Sequence, residues 1–276
     1  MSYSKAVRYL LSLVNYEKIP FQYGRAFDLK RMELLLVWLR HPERQFGSIL
    51  IAGTKGKGSA AQFTASILAA HGHRTGLYTS PHLIDVRERI RVNGRMISRP
   101  EFTRCVAQVR RVIKGHQKEL ASLGPPTFFE ALTLIAMLYF MKRRVRFGVF
   151  EVGMGGRLDA TNALHPLVSV IAPVSFDHEE HLGRTLAKIA GEKAAIIKPN
   201  GIVVVGEQTG EAKRVIHAKA KKEHAKTFFF GSSFKVRNVR SGLWGSRFDF
   251  EMFGEKWRNL KLNCPGSFRC KTPRPH

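Results

Sequence analysis

Cysteine is scarce in this sequence: Cys105, Cys264 and Cys270 are the three present. Their count is odd and their spacing matches no metal knuckle, which excludes a disulfide scaffold and a zinc ribbon and points to a reducing, cytoplasmic setting. Acidic residues are also few, 21 against 46 lysines and arginines, for a net charge of +25. Such a field gathers anions, whether nucleic acid, an anionic membrane surface or a polyanionic small substrate. Long apolar runs are missing as well. The stretch from Tyr9 to Val14 is broken by Ser12 and is too short for a secretion signal or a membrane span. Phe128 to Met141 is apolar almost all round with Glu130 as its one charge, and at about fourteen residues it reads as a core helix. No internal repeat and no low-complexity tract occurs. What remains is 276 residues, 44% hydrophobic and 24% charged, the composition of a folded globular protein.

The chain is organised as strands alternating with helices. Ile49-Leu50-Ile51-Ala52 is a short apolar run stopping at Gly53, a buried strand entering a glycine turn. From Ser59, Ala60, Phe63, Ile67 and Ala70 recur at helical spacing, and Gly72 is placed to end that helix. Val145–Val152, Leu167–Ile171 and Ile202–Val205 read as further buried strands, so a mainly parallel α/β sheet is expected. After about residue 226 the texture changes to short β-like pieces, Thr227–Phe230, Phe234–Val239, Phe248–Met252 and Leu260–Leu262. Together they predict a small β-rich sheet at the side of the main one.

Between the first strand and helix lies Gly53-Thr54-Lys55-Gly56-Lys57-Gly58-Ser59. Glycines there let backbone N–H groups converge on an anion, and the helix N-terminus adds partial positive charge. Lys57 is suited to neutralise outer phosphates and the Ser59 hydroxyl to meet their magnesium. The lysine precedes Gly58, so the common P-loop spacing is not matched literally.

Several other residues have two readings each. Glu151 ends an apolar strand before Gly153, either as a solvated strand end or as a magnesium-holding carboxylate at the ligand edge of the sheet. Lys193 shares a helical face with Leu186, Ile189, Ala190 and Ile197, so it either snorkels outward or is buried for a reason. His178, beside Asp177, Glu179 and Glu180, reads by itself as a surface histidine. Thr127 and Glu130 have the spacing of a capping box, with Pro125-Pro126 upstream. Arg87, Arg89 and Arg91 alternate as on a solvated basic strand that ends at the Asn93-Gly94 turn.

The glycine loop resembles that of the Mur ligase superfamily, in particular its dihydrofolate and folylpolyglutamate synthases. Four further blocks resemble that family in order: Thr79–Leu83 with Glu88–Gly94, Thr127–Glu130, Glu151–Asn162, and Asp177-His178 with Glu192-Lys193-Ala194. The resemblance runs from about Leu29 to about Pro199. It implies a P-loop central ATPase domain and an enzyme that uses ATP and Mg2+ to join L-glutamate to dihydropteroate or a folate through an acyl phosphate. It implies nucleotide binding by Gly53, Thr54, Gly56, Lys57, Gly58 and Ser59, and magnesium ligation by Ser59, Ser80, Glu151, His178 and a carbamylated Lys193. Lys57, His178 and Lys193 would be catalytic. Substrate would meet Phe27, Asp28 and Leu29, Ser80, Pro81 and His82, Thr127, Phe128, Phe129 and Glu130, and Leu158, Asp159 and Ala160. In the family Thr127–Glu130 lines a pterin pocket, and Ser80–His82 opens a mobile substrate loop. A monomer with no nucleic-acid or membrane partner is expected.

The sequence departs from the family at Lys55, commonly Asn, and at Ala195, commonly Gly. Family members also continue into a second, Rossmann-like domain. Here the closing residues 269–276 read RCKTPRPH; the codon choices AGG TGC AAA ACG CCG CGC CCG CAT would encode them, and with one C restored in front the same bases read Gln-Val-Gln-Asn-Ala-Ala-Pro-Ala, close to the family's linker. A central domain over 1–268 with a frameshifted tail, lacking the second domain and weak or inactive as a ligase, is the expectation. The competing expectation is a basic P-loop protein that binds nucleic acid. Against it, lysines and arginines are dispersed, with modest clusters at Lys142-Arg143-Arg144 and Lys219–Lys222 and no aromatic-rich single-strand motif.

Overall fold

A computed structural model describes residues 1–17, 19 and 28–263. The apolar runs become the inner strands of an eight-stranded sheet in the order β4-β3-β2-β5-β1-β6-β7-β8. Its strands are β1 (Gly47–Ala52), β2 (Thr75–Tyr78), β3 (Ile90–Val92), β4 (Arg95–Met96), β5 (Phe147–Glu151), β6 (Val168–Ile171), β7 (Ile202–Val205) and β8 (Lys226–Phe229). From β2 across to β8 every neighbouring pair is parallel, while β3 and β4 are antiparallel additions at one edge. Helices α1 (Tyr3–Leu11), α2 (Leu29–Trp38), α3 (Lys57–Ala70), α4 (Arg99–Gly115), α5 (Gln117–Leu120), α6 (Phe128–Lys142), α7 (Glu179–Leu182), α8 (Leu186–Ala194) and α9 (Gly210–Lys222) connect and cover the strands. The α/β reading with a mainly parallel sheet therefore holds.

Helix α6 is buried along almost its whole length, as its uniform apolarity predicts. Phe140 and Phe150 of β5 meet edge to face at 5.5 Å, and Tyr78 of β2 lies 5.9 Å from Phe150. On the other sheet face a smaller cluster, Ile51, Leu77 and Val149 against Ala61 and Ala65, seats α3. Short alanine side chains there let the helix approach the strands that carry the glycine loop.

Two expectations need correction. The piece predicted at Thr227–Phe230 is not part of the side sheet. It is β8, parallel to β7, because Phe229 is 7% exposed and packs into the main core. The side sheet is made by the pieces after it: β9 (Phe234–Gly242), β10 (Gly245–Met252) and β11 (Glu255–Leu262), antiparallel in the order β11-β10-β9. Nor do Arg87, Arg89 and Arg91 form one solvated strand. Asp85 and Glu88 close a capping box on a 3-10 turn, Val86–Arg89, which turns Arg89 inward to 1% exposure before β3 begins. The Asn93-Gly94 turn is present, with both residues at positive φ. The tail 269–276 and Phe27 lie outside the described residues.

Candidate functional site

Strand register builds the site. Ile51 of β1 pairs with Glu151 of β5, and Ala52 pairs with Ile171 of β6, so three strands end together at one sheet edge. The glycine loop leaves β1 at this edge. A Cβ on Gly53 would lie 2.7 Å from the Ala172 methyl, so only glycine lets the loop pass so close to β6. The Thr54 N–H donates to the Pro173 carbonyl at 2.9 Å, and its hydroxyl donates to the Ser175 carbonyl at 3.0 Å, tying the loop to the segment after β6. Gly56 takes a left-handed conformation, φ 80°, and α3 starts at Lys57, two residues before the helical periodicity becomes visible in the sequence. The start of α3 has no side-chain cap and no acidic residue in its first turn. Its leading N–H groups and partial positive charge suit an anion. The Lys57 ammonium reaches back to the Thr54 carbonyl at 3.4 Å.

Glu151 is buried at 5% exposure, which removes the solvated strand-end reading. It stands directly beneath the loop: a Cβ on Gly58 would be 3.4 Å from each of its carboxylate oxygens. The Ser80 N–H donates to Glu151 Oε2 at 3.2 Å, which brings the Thr79–Leu83 block to the same place. Burial raises the Glu151 pKa, while the Ser80 amide and the Lys57 charge oppose that rise. Carboxylate and hydroxyl oxygens are the hard donors magnesium prefers, so the chemistry of Glu151, of Ser80 whose backbone meets it, and of Ser59 next to Gly58 fits that ion.

Lys193 is 2% exposed on α8, so it does not snorkel. Burial pushes its pKa down to about 8, Lys57 lowers it further, and Asp177, Asp159 and Glu192 oppose the shift. The α8 backbone lies against the glycines after β5: a Cβ on Gly156 would collide with the Glu192 carbonyl. His178 is half exposed, in a left-handed conformation, with its Nε2 3.7 Å from Asp177 Oδ1. Its isolated reading, a surface histidine, describes its position. Among the described residues no three His, Cys, Asp or Glu side chains gather as a metal cluster.

The remaining expected positions have mixed surroundings. Asp159, 3% exposed, accepts from the Thr161 N–H at 3.0 Å and hydroxyl at 2.5 Å and from the Met154 N–H at 3.0 Å. It rivets the loop after β5, and Ala160 beside it is buried while Leu158 is half-buried. The ring of Phe129 lies against this loop, and a Cβ on Gly153 would touch it. Thr127 and Glu130 do close the capping box of α6, at 3.1 and 2.7 Å. Phe128 faces elsewhere, under the Arg89 guanidinium at 5.4 Å. Asp28 caps α2, accepting from the Lys30 N–H at 2.9 Å, and Leu29 begins that helix. Pro81 is exposed and His82 half-buried. An open cleft of about 650 Å³ lies nearby, walled by Tyr3, Leu10, His82, Asp85, Val86 and Phe128.

Sequence reasoning missed three charged residues of this region. Arg31 on α2 is 3% exposed and holds Glu130 at 2.8 Å. Glu17 clasps Arg89 at 2.7 Å. Lys198 donates to the Asn162 carbonyl at 2.7 Å, and burial pushes its pKa to about 8. Arg31 stands among the buried Met32, Leu35 and Leu36, the same inward-charge signal that marks Lys193.

The chain is similar in sequence and fold to several known proteins. The dihydrofolate synthase/folylpolyglutamate synthase of Bacillus subtilis (strain 168) is 36% identical over 247 residues, covering 89% of this chain and 57% of that protein. The folylpolyglutamate synthase of Lacticaseibacillus casei is 35% identical, over 98% of this chain and 61% of that protein. Among solved structures, the apo form of the L. casei enzyme superposes with a TM-score of 0.88 at 34% identity, over 96% of this chain and 62% of that one. A structure described as an FPGS-AMPPCP-folate complex gives 0.89 at 35% identity, over 97% and 63%. The chain thus spans about 60% of the length of these relatives. They lend no support to the nucleic-acid alternative, and no helix among the described residues is long and apolar enough to cross a membrane. With the Mur ligase middle domain matched over residues 51–271, the chain belongs to the Mur ligase family.

Proposed function

We propose that this chain forms the nucleotide-binding part of an ATP-dependent ligase that joins L-glutamate to dihydropteroate or a folate. The observation that carries the reading is the uncapped α3 N-terminus with Lys57 on one side and the buried Glu151 beneath it. Relatives of folylpolyglutamate synthase type support the choice of reaction.

In this reading Gly53, Gly56, Gly58 and Ser59 present backbone N–H groups to the phosphates of ATP, Thr54 takes part by holding the loop in place through its bonds to the Pro173 and Ser175 carbonyls, and Lys57 swings from the Thr54 carbonyl to the outermost phosphate. The substrate carboxylate attacks that phosphate, ADP leaves, and the glutamate amine displaces phosphate from the resulting acyl phosphate to make the amide. Lys57 and the loop amides offset charge as it moves between oxygens, a mainly electrostatic contribution. Ser59, Ser80 and Glu151 would hold magnesium, with His178 and Lys193 completing the set; bound magnesium supplies further neutralisation of phosphate charge. The low pKa of Lys193 leaves part of it as the free amine, the form that combines with CO2 to give a carbamate and a proton. Phe129 offers an aromatic face for a flat heterocycle, with Thr127, Leu158, Asp159 and Ala160 around it. A cytoplasmic monomer belongs to the same proposal.

Isothermal calorimetry with a non-hydrolysable ATP analogue and Mg2+ tests it. Saturable binding by the wild-type chain, weakened about 100-fold or more in Lys57→Ala, is expected from loss of a phosphate-paired charge in a preorganised loop. Absence of binding, or equal binding by Lys57→Ala, overturns the reading.

A further inference from the structure

The Arg89 guanidinium touches three segments at once. Its terminal nitrogens donate to the two Glu17 carboxylate oxygens, both at 2.7 Å. Its Nε donates to His82 Nδ1 at 2.8 Å. Its Cζ lies over the Phe128 ring, 5.4 Å from the centroid, and the side chain is 1% exposed. The turn that carries it is stiff: Glu88 accepts from the N–H groups of Leu83, Ile84 and Asp85 at 3.0, 3.0 and 2.7 Å, and Asp85 accepts from the Tyr3 hydroxyl at 2.9 Å.

The chemistry of this contact is one-sided. A guanidinium carries donors and no acceptor, so a ring nitrogen bonded to it must present a lone pair. The His82 proton then belongs on Nε2, and the ring also lines the 650 Å³ cleft with Tyr3, Asp85 and Phe128. Tautomer choice by the partner of the opposite nitrogen is a general way of orienting an imidazole.

We propose that Arg89 is a positioning residue that, braced by Glu17, fixes His82 as the Nε2–H tautomer so that the ring offers a donor to a carbonyl or carboxylate oxygen of the substrate in this cleft. The choice of a folate-type substrate rests on the function proposed above; the tautomer does not. The donor is oriented before substrate arrives, which spares the ordering cost of a freely turning ring.

Long-range 1H–15N spectra of the full chain without ligand read the tautomer directly. The His82 signals are expected to show a protonated Nε2 and an unprotonated Nδ1. In Arg89→Lys, where one ammonium cannot serve both Glu17 and His82, both tautomers should appear. Folate binding by the same chain supplies a second readout. His82→Gln, whose amide nitrogen stands where Nε2 was, should bind within about 3-fold of wild type, whereas His82→Asn should bind about 3- to 10-fold more weakly, the range of one neutral hydrogen bond. An Nδ1–H ring in the wild type, or equal affinity of the Gln and Asn variants, overturns the proposal. Failure of the wild type to bind folate overturns the substrate assignment and leaves the tautomer result to decide the role of Arg89. If Arg89→Lys does not fold, the wild-type spectrum and the two His82 variants still decide.

Discussion

Arg31 and Lys193 are both cations in the interior, at 3% and 2% exposure, yet their surroundings are opposite. Beneath the start of α6, Arg31 is matched: Nε lies 3.0 Å from both Glu130 oxygens, NH2 is 2.8 Å from one of them, and NH1 is 2.5 Å from the Leu123 carbonyl. Beside the glycine loop, Lys193 has no carboxylate within ion-pair distance among the described residues, and a second lysine, Lys57, adds to its discomfort. The first arrangement is closed, every charge answered inside the protein. The second is open, a cation with no ion-pair partner among the described residues and favoured only through the field of Asp177, Asp159 and Glu192. Structural ion pairs are complete, whereas functional sites retain charges whose partner arrives from outside.

Breaking the closed site should have the largest effect on stability. Glu130→Ala strands the Arg31 charge and removes half of the α6 capping box, so denaturant unfolding should show a loss of about 3–5 kcal/mol. Replacing both partners by apolar residues, Arg31→Met with Glu130→Leu, should recover most of that loss; a double variant as unstable as the single one would contradict the matched-pair account.

The open site predicts the reverse sign. The folded pKa of Lys193, about 8, lies below its ordinary 10.5. Between those values the unfolded chain holds more protons, so stability rises with pH across this window, and the full burial penalty is present below pH 8. Lys193→Met is expected to be more stable than wild type by about 1–3 kcal/mol at pH 7. That margin should shrink toward zero by about pH 10.5, as urea melts at each pH will show. Ligase activity of a longer relative carrying the same change should fall. Destabilisation at pH 7 would mean that Lys193 is paired after all.

The smallest effect isolates the cap from the ion pair. Thr127→Ala loses only the hydroxyl that accepts from the Glu130 N–H, so a loss of about 1 kcal/mol is expected in thermal melts. A loss as large as that of Glu130→Ala would place the importance of this corner in the cap and not in Arg31.

The contrast also explains what was legible beforehand. Ile49–Ala52 is a continuous apolar run because a central parallel strand is covered on both faces, and Ile202–Val205 is equally apolar although only Val203 and Val205 are fully buried, so both strands show locally. Capping of α6 depends on residues three apart and was equally plain. Thr227–Phe230 misled because its membership in the main sheet depends on Phe229 meeting a core built from distant residues. Arg89 misled for a related reason: alternation with Arg87 and Arg91 suggests a solvated face, and only Glu17, 72 positions away, makes its burial tolerable.

Sequence alone therefore determined the elements whose cause is local: the buried strands, the glycine loop, the capped helices and the inward face that carries Lys193. Tertiary structure decided which charges are answered. Whether Arg31, Arg89, Glu151 or Lys193 finds a counter-charge depends on strand order and helix docking, which bring together groups far apart in the chain. Electrostatic energy follows distance and burial in space, and neither is written in the spacing of neighbouring residues.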